Sequence, residues 1–444
     1  MKTPIKNFGE EYAKKNSIRF HMPGHKGKNF LGCEKYDITE IDGADVLYSS
    51  DGIIKESQEI SKTLFESQKT LYSTEGSSLC IRAMIYLVKL YARSIDKEPV
   101  ILAGRNAHKT FIGITALSDV PVVWMYGKSE NLLSCTLTAK DIENDILIHN
   151  PAAVYITSPD YLGNMSDIRE ISKVCRKHNV LLLVDNAHGA YLKFMKSSLH
   201  PVDLGADMCC DSAHKTLPVL TGGAYLHIGK SAPGFFGVHA ENAMSMYAST
   251  SPSYIIMRSL DMANEYIKNQ IKKNLSKIIS EADMLKDSLK NNGFSITGDE
   301  PLKITIEAKK YGYTGYELYG ILKEKNIVAE FCDRDFIVFM ISSSNTKKDI
   351  RKLKKALLSI KRKDEITETP PKIFKGEPVI SPYEAVNLPF EETDIDNAEG
   401  KILARSSVTC PPAVSVISCG EKIRKCDIEC FKYYGIEKVY TIKK

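Results

Sequence analysis

Short apolar runs alternate with helical patterns between residues 77 and 228, and this alternation limits the possible folds more than any other feature of the chain. Strands that are buried on both faces appear as nearly continuous apolar runs, because helices cover both sides of the sheet. Helical spacing of apolar residues is found over 77–93 and again over 167–179. The predicted strands are 99–104, 121–127, 152–159, 180–188, 205–212 and 222–228. The pattern predicts an α/β domain with a mostly parallel sheet.

The chain has 444 residues, more than the roughly 250–300 at which a single hydrophobic core stops growing, so we expect two or more domains. A helical pattern runs over 253–289, and residues 302–361 then read strand, helix, strand, strand, helix. Residues 363–378 are polar and contain prolines, as linkers do. We predict an N-terminal arm with a large domain over 1–290, a small α+β domain over 291–365, and a linker with a C-terminal segment over 366–444.

The composition is that of an ordinary globular protein, with 43% hydrophobic and 26% charged residues. The net charge of +5 comes without a dense basic tract, so nucleic-acid binding is not expected. The charged N-terminus lacks the apolar region of a secretory signal, and no apolar run has the roughly 18 residues of a membrane span. Eleven dispersed cysteines indicate reduced thiols and a cytoplasmic protein.

The densest group of thiols is formed by Cys410, Cys419, Cys426 and Cys430. It contains no CxxC pair, and its spacing fits no common zinc motif. We therefore interpret these residues as buried or unused thiols and predict no metal site.

The sequence Glu-Gly-Ser-Ser at 75–78 lies where a loop becomes a helix. The backbone N–H groups and hydroxyls of Gly76, Ser77 and Ser78 could hold a phosphate at the positive end of that helix. An ordinary serine cap explains the same residues, so the turn alone does not identify a site.

Three further residues follow predicted strands. His108 lies in the turn after the strand 99–104, near the edge where open α/β sheets bind ligands, although a structural histidine fits equally well. Asp185 ends the most hydrophobic strand, where a buried carboxylate requires a partner or a function. Lys215 follows thirty residues later, just past the strand 205–212.

Pyridoxal phosphate requires four groups from a protein: an amine for its aldehyde, a carboxylate for its pyridine nitrogen, a flat group over its ring and an anion site for its phosphate. Lys215, Asp185, His108 and the turn at 76–78 supply these groups. As a set, they indicate a pyridoxal-phosphate enzyme.

Motifs along nearly the whole chain point to a known family. They are RFHMPGHKGK, YDITEIDGADVLYSSDGIIKESQ, GSS, RNAHKT, VDNAHGA, SAHKTLPVLTGGA, TSPSYIIMRSLD and CPPAVSVISCGEKI. With these motifs the chain resembles the ornithine/lysine/arginine decarboxylase family of fold-type I pyridoxal-phosphate enzymes, in its short bacterial form. The resemblance implies a transferase-like large domain with a mostly parallel seven-stranded sheet, and a smaller C-terminal α+β domain.

The resemblance also implies roles for individual residues. Lys215 would be the Schiff-base lysine, Asp185 the partner of the pyridinium nitrogen, and His108 the residue stacked on the ring. Ala187 would pack against the opposite face, while His188 could contact the cofactor or Asp185, or be structural. The residues around the phosphate would be Gly76, Ser77, Ser78, Ser212 and His214. Of the three His-Lys pairs, at 25–26, 108–109 and 214–215, only the last would have both residues at the cofactor.

The family is dimeric or larger, and residues 249–254 resemble a segment that reaches the neighbouring subunit's site, so a homodimer is implied. The distal cation of the substrate requires an acceptor, for which Asp45, Asp160 and Glu330 are candidates. The chain departs from the family pattern at three positions: Glu75, Ala213 and Asn186.

We therefore expect decarboxylation of a basic amino acid in polyamine biosynthesis: arginine to agmatine first, then lysine to cadaverine or ornithine to putrescine. The short family form is the basis for placing arginine first. An aminotransferase or lyase of the same fold would use the same lysine and aspartate. A non-catalytic cofactor-binding homologue is the other alternative.

Overall fold

The computed structural model describes residues 1–127, 131–406 and 413–443. Cys410, one of the four clustered cysteines, lies outside these residues. The strands, in chain order, are β1 Lys69–Ser73, β2 Ile101–Gly104, β3 Val122–Met125, β4 Ala153–Thr157, β5 Leu181–Asp185, β6 Met208–Asp211, β7 Ala224–Ile228, β8 Ile296–Thr297, β9 Lys303–Glu307, β10 Phe331–Cys332, β11 Phe336–Met340, β12 Phe390–Asp394, β13 Leu403–Arg405 and β14 Lys438–Ile442.

The helices follow the same order. They are α1 Pro4–Lys15, α2 Ile53–Phe65, α3 Gly76–Ser94, α4 Lys109–Leu117, α5 Ala139–His149, α6 Ile168–Lys177, α7 Pro201–Leu204, α8 Ala213–Thr216, α9 Gly234–Ser245, α10 Tyr254–Tyr266, α11 Lys272–Asn291, α12 Gly315–Glu324, α13 Lys347–Leu358, α14 Pro382–Asn387 and α15 Lys425–Tyr433. A π-helical turn, Ile267–Ile271, joins α10 to α11, so the predicted helical run over 253–289 is confirmed as helix.

The main sheet has seven strands in the order β1-β7-β6-β5-β4-β2-β3. β2 pairs in parallel with β3 and β4, and β5 pairs in parallel with β6. β7 is antiparallel to both of its neighbours, β6 and β1. The prediction of a mostly parallel seven-stranded α/β sheet is confirmed.

The apolar runs correctly predicted six of these strands, but β1 was missed. Its sequence, Lys-Thr-Leu-Tyr-Ser, is not a continuous apolar run, although four of its five residues are buried. The Tyr72 hydroxyl of β1 lies 2.7 Å from Ser57 Oγ and 2.8 Å from Ser61 Oγ, and Asn264 Nδ2 donates to it at 3.0 Å. Because distant residues satisfy its polar groups, β1 can be buried without an apolar sequence.

The chain forms two compact units, each built from two stretches of sequence. The first consists of residues 1–98 and 168–275. In it, α3 buries Leu79, Met84, Leu87 and Val88 at helical spacing, and the helix continues for 19 residues without an internal glycine or proline. β5 and β6 are buried along their whole length.

The second unit consists of residues 99–167 and 276–444. It contains a four-stranded antiparallel sheet in the order β10-β11-β9-β8, which agrees with the α+β pattern predicted for 302–361. A three-stranded sheet in the order β12-β14-β13 lies in its C-terminal part. The predicted domain boundaries at 290/291 and 365/366 stay predictions.

Candidate active site

Asp185 is the last residue of β5 and is only 3% exposed. Its Oδ1 accepts a hydrogen bond from the Ala187 backbone N–H at 3.1 Å and lies 3.5 Å from the thiol of Cys210. Burial raises the pKa of Cys210 well above its usual value, so this thiol stays protonated and acts as a donor. The carboxylate orientation is therefore set by its own turn and by the neighbouring strand β6.

Lys215 lies in α8, the single helical turn that follows β6. Its Nζ is 2.8 Å from Nε2 of His188, a buried histidine that follows Asp185 by three residues. The turns after two adjacent parallel strands thus bring an amine and an imidazole together. An imidazole at this distance can exchange a proton with the amine.

The turn at 76–78 begins the 19-residue helix α3. The N-cap residue of this helix, Glu75, makes no side-chain capping hydrogen bond. The Gly76 N–H donates to the Gly222 carbonyl at 2.7 Å, and Ser212 Oγ donates to Ser77 Oγ at 2.8 Å. Both glycines have positive φ values, +70° for Gly76 and +95° for Gly222. A Cβ added at Gly222 would lie 2.8 Å from the Thr74 carbonyl, so this close approach requires glycine.

His214 contributes to the same region through the loop before β7. Its Nδ1 donates to the Gly223 carbonyl at 2.9 Å, which leaves Nε2 as the remaining ring nitrogen. Burial lowers the pKa of His214, which favours the neutral ring.

The structure explains the three positions at which the chain departs from the family pattern. Glu75 is exposed, and its Oε1 accepts the Ser249 N–H at 2.7 Å, so this acid caps a distant loop. Asn186 donates through Nδ2 to Asp211 Oδ1 at 2.6 Å. Ala213 is fully buried, where a small side chain fits.

Sequence reasoning missed Asp211, the last residue of β6. This fully buried carboxylate accepts hydrogen bonds at Oδ2 from His200 Nε2 at 3.0 Å and His227 Nε2 at 3.2 Å. Burial alone would raise the pKa of Asp211, but the two histidines lower it well below its usual range. An acidic residue ending an apolar strand was the available signal, the same one that identified Asp185.

His108 belongs to the second unit, whereas the residues just described belong to the first. It is the N-cap of α4, where its Nδ1 accepts the Thr110 N–H at 3.2 Å. This bond indicates the tautomer that carries its proton on Nε2. Its role as the ring-stacking residue stays a prediction.

The other candidates have defined contacts. His25 pairs with Asp37 at 3.1 Å, and Lys26 Nζ donates to the His21 carbonyl, so this His-Lys pair holds the N-terminal segment. Ser253 caps α10, and the Tyr254 hydroxyl donates to the Asp45 carbonyl.

The proposed acceptors for the substrate's distal cation are engaged to different extents. Asp45 accepts backbone N–H groups at the start of α2, including that of Ile54 at 2.8 Å. Asp160 is buried and accepts the Leu162 and Asn164 N–H groups, both at 2.9 Å. Glu330 accepts only a long bond of 3.4 Å from the Tyr161 hydroxyl among the contacts described. Their predicted role in substrate binding stays untested.

The donor set of the first unit fits pyridoxal phosphate. An amine, a buried carboxylate and a glycine-serine turn at a helix N-terminus are the groups that its aldehyde, ring nitrogen and phosphate require. The Ser77–Ser212 hydrogen bond joins the helix turn to the segment that carries Lys215. Gly76 adds to this fit: apart from its chain neighbours and the backbone of its own helix, no heavy atom of the described residues lies within 4 Å of the place where its Cβ would be.

Comparisons with known proteins found a matching family, curated relatives and solved structures of similar fold. The family described as "Orn/Lys/Arg decarboxylase, major domain" matches residues 3–306. The chain is 31% identical to Uncharacterized protein YaaO of Bacillus subtilis, over 96% of this chain and 92% of that protein. It is 27% identical to an arginine decarboxylase of Halalkalibacterium halodurans, with the same coverages of 96% and 92%. The solved lysine decarboxylase LdcF of Francisella novicida has a similar fold, with a TM-score of 0.81 and 18% identity over 99% of this chain and 81% of that one.

Proposed function

Because the chain belongs to the Orn/Lys/Arg decarboxylase family, we propose that it removes the α-carboxylate of a basic amino acid with pyridoxal 5'-phosphate as cofactor. Arginine is the favoured substrate, with agmatine as the product and polyamine biosynthesis as the role. Lysine and ornithine are the next candidates. Relatives of similar length named arginine decarboxylase support this order.

The observation that carries the proposal is the 2.8 Å contact between Lys215 Nζ and His188 Nε2. It lies in the same compact unit as Asp185 and the turn at 76–78. An amine reacts only in its neutral form, and a buried imidazole beside it can accept the proton that it must lose. His188 is 6% exposed, so little water competes for this exchange.

Bound pyridoxal phosphate would supply an aldehyde that condenses with amines and a ring that accepts electrons from the breaking Cα–carboxylate bond. Asp185 would hold the ring nitrogen and keep its proton in place. Ser77, Ser78, Ser212 and His214 would hold the phosphate with the N-terminal amides of α3. His108 would cover one face of the ring and Ala187 the other.

Besides binding the cofactor aldehyde, Lys215 would donate the proton that the substrate's Cα needs after carbon dioxide leaves. Its Nζ can carry that proton, and the hydrogen bond to His188 allows the proton to be replaced. His108 is the alternative donor. Replacing Lys215 and His108 in separate variants would identify which of the two residues donates the proton to Cα.

The proposed function is tested by carbon dioxide release from arginine, lysine and ornithine with the cofactor-loaded protein. We expect release from one of these amino acids and no turnover of a keto acid. Lys215→Ala should abolish release, and the visible absorbance of lysine-bound cofactor should disappear with it. Lys109→Ala changes an exposed lysine of another His-Lys pair and serves as the control.

Two results would contradict the proposal. One is carbon dioxide release by Lys215→Ala at the rate of the unmodified protein. The other is turnover of a keto acid without carbon dioxide release, which would identify an aminotransferase of the same fold.

We also propose that the protein is a homodimer. Five large apolar side chains in the N-terminal segment 18–31 are exposed: Ile18, Phe20, Met22, Phe30 and Leu31. Exposed apolar groups so close in sequence are typical of a surface that another protein covers. A second copy of the chain is the occupant that the family resemblance implies.

A further inference from the structure

The second unit contains a cavity of about 310 Å³ along β3, the edge strand of the seven-stranded sheet. Its lining is mostly apolar and includes Val122, Trp124, Tyr126, Pro378, Ile380 and Tyr383. Small-molecule sites usually measure roughly 300–1,000 Å³, so this cavity has room for a small ligand.

A carboxylate forms part of the cavity lining. Glu421 is 6% exposed, and its Oε2 accepts the Ser418 N–H at 2.7 Å. The backbone of Gly376 packs directly against it, since a Cβ at Gly376 would collide with the carboxylate. In the described part of the chain, Glu421 forms no ion pair within 4.0 Å. A buried carboxylate without a paired cation is costly, so a bound cation would stabilise it.

Other charged residues line the cavity or act on it from nearby. Asp119 and Lys375 line it and are exposed, so with Glu421 the lining carries two acids and one base. Arg105 acts on Glu421 at longer range, but its guanidinium lies 5.2 Å from the Trp124 ring centre and donates to the Val416 carbonyl. Burial raises the pKa of Glu421, and the positive charge of Arg105 opposes that shift, so Arg105 favours the ionised carboxylate that a cation would bind.

The helix α4 also favours a cation in this cavity. Thr115, near its C-terminus, and Asp119, just past it, line the cavity. The C-terminus of a helix carries partial negative charge, which favours a cation in the last turn. The aromatic walls also favour an organic cation, which can contact ring faces as well as the carboxylate.

We propose that this cavity is a second ligand site, which binds a small organic cation with an aliphatic body through Glu421 and the aromatic walls. An alkylguanidinium or alkylammonium group has the required charge, N–H donors and apolar stem. The amine product of the proposed decarboxylation belongs to this class, so product would bind in the second unit, whereas Lys215 belongs to the first. This identification of the ligand as product rests on the proposed function.

The chain has one tryptophan, Trp124, and it lies in the cavity wall, so tryptophan fluorescence reports on this site. The probe is butylguanidinium, which has no amine to react with the cofactor. Butylurea is its neutral match in shape. We expect a saturable fluorescence change with butylguanidinium, titrated into the cofactor-loaded protein, and none with butylurea.

Glu421→Gln keeps an oxygen for the Ser418 N–H and removes the charge. It should weaken binding of butylguanidinium about 10- to 100-fold, the range expected for losing a hydrogen bond to a charged group. Tyr383→Ser changes a residue that is 44% exposed and should fold normally, so it provides a second variant with weakened binding. Glu377→Gln, an exposed acid outside the lining, is the control and should bind as the unmodified protein does.

Three results would overturn the site. They are binding of butylurea as tight as that of butylguanidinium, unchanged binding of butylguanidinium by Glu421→Gln, and no saturable fluorescence change at millimolar butylguanidinium. Displacement of butylguanidinium by agmatine, cadaverine or putrescine tests the product identification, and failure of all three to displace it would overturn that part alone. Carbon dioxide release is measured separately, so failure of the proposed function is distinguishable from failure of the site.

Discussion

At the scale of single residues, two carboxylates ending adjacent strands have different surroundings. Asp185 has an amide and a thiol as partners, while Asp211 accepts bonds from Asn186 and two histidines. Asp185 was predicted from the sequence because, together with Lys215 and His108, it matches the groups that pyridoxal phosphate requires. The surroundings of Asp211 depend on His200 and His227, which come close to it only through the packing of the folded chain. A strand-ending acid thus predicts burial, but its partners cannot be read from its position.

The Lys215–His188 contact gives a prediction at this scale. His188→Ala removes the imidazole that takes the proton from Nζ, so we expect about a 10²-fold loss of the carbon dioxide release rate, the low end for proton-transfer groups. The appearance of visible absorbance after adding pyridoxal phosphate to the cofactor-free protein should also slow. Stopped-flow absorbance measures this second effect.

His149→Ala is the matched control, because His149 is exposed at the end of α5. Its rates should equal those of the unmodified protein. If His188→Ala behaves like His149→Ala in both measurements, His188 has only a structural role.

At the scale of elements, apolar periodicity predicted buried strands well and short connections poorly. In the strand-helix-strand-strand-helix pattern predicted over 302–361, the second strand corresponds to residues 327–331, but only Phe331 and Cys332 pair with β11. The turn that follows them depends on Asp333, whose Oδ1 accepts the N–H groups of Asp335 at 2.8 Å and Phe336 at 2.7 Å. Such a turn is a local arrangement that hydrophobic spacing does not encode.

This turn predicts a pH effect on stability. Burial raises the pKa of Asp333 to about 6, above its value of about 3.9 in an unfolded chain. The folded state therefore favours the protonated form, and the stability from this group is present below pH ~4 and is lost as the pH rises through 6. The shift corresponds to about 2–3 kcal/mol at most.

Asp333→Asn keeps the accepting oxygen and cannot ionise. The melting temperature of the variant relative to the unmodified protein should therefore rise by a few degrees between pH 4 and 7. Thermal unfolding followed by circular dichroism measures it. Asp287→Asn, on the exposed face of α11, should show no such trend. A pH-independent difference for Asp333→Asn would contradict the assigned titration.

At the scale of the whole molecule, the sequence predicted the fold class, while compact units made of separated stretches were not expected. Residues 99–167 and 276–444 form one unit although more than a hundred residues separate them in the chain. Composition shifts and linkers indicate boundaries along a sequence, so they cannot reveal units that the chain enters twice. No helix in the described ranges is long and apolar enough to cross a membrane.

The proposed homodimer gives a prediction at this scale. Light scattering after size exclusion should give twice the chain mass of 49.6 kDa. Replacing Phe20 and Leu31, which are 93% and 79% exposed, by serine should shift the protein toward the monomer mass. Ile148→Ser, which changes a 72% exposed residue of α5, is the control. A monomeric unmodified protein would rule out the homodimer.

The pairing of β1 with β7 has a consequence for how the chain is made. Lys69 pairs with Ile228, so β1 leaves the ribosome long before its partner strand exists. At roughly 5–20 residues per second, synthesis of the intervening chain takes on the order of ten seconds. During that interval the apolar face of α3 has no completed sheet to cover it. The nascent chain is therefore expected to need chaperone protection early in translation, and slower translation before codon 228 should increase its aggregation.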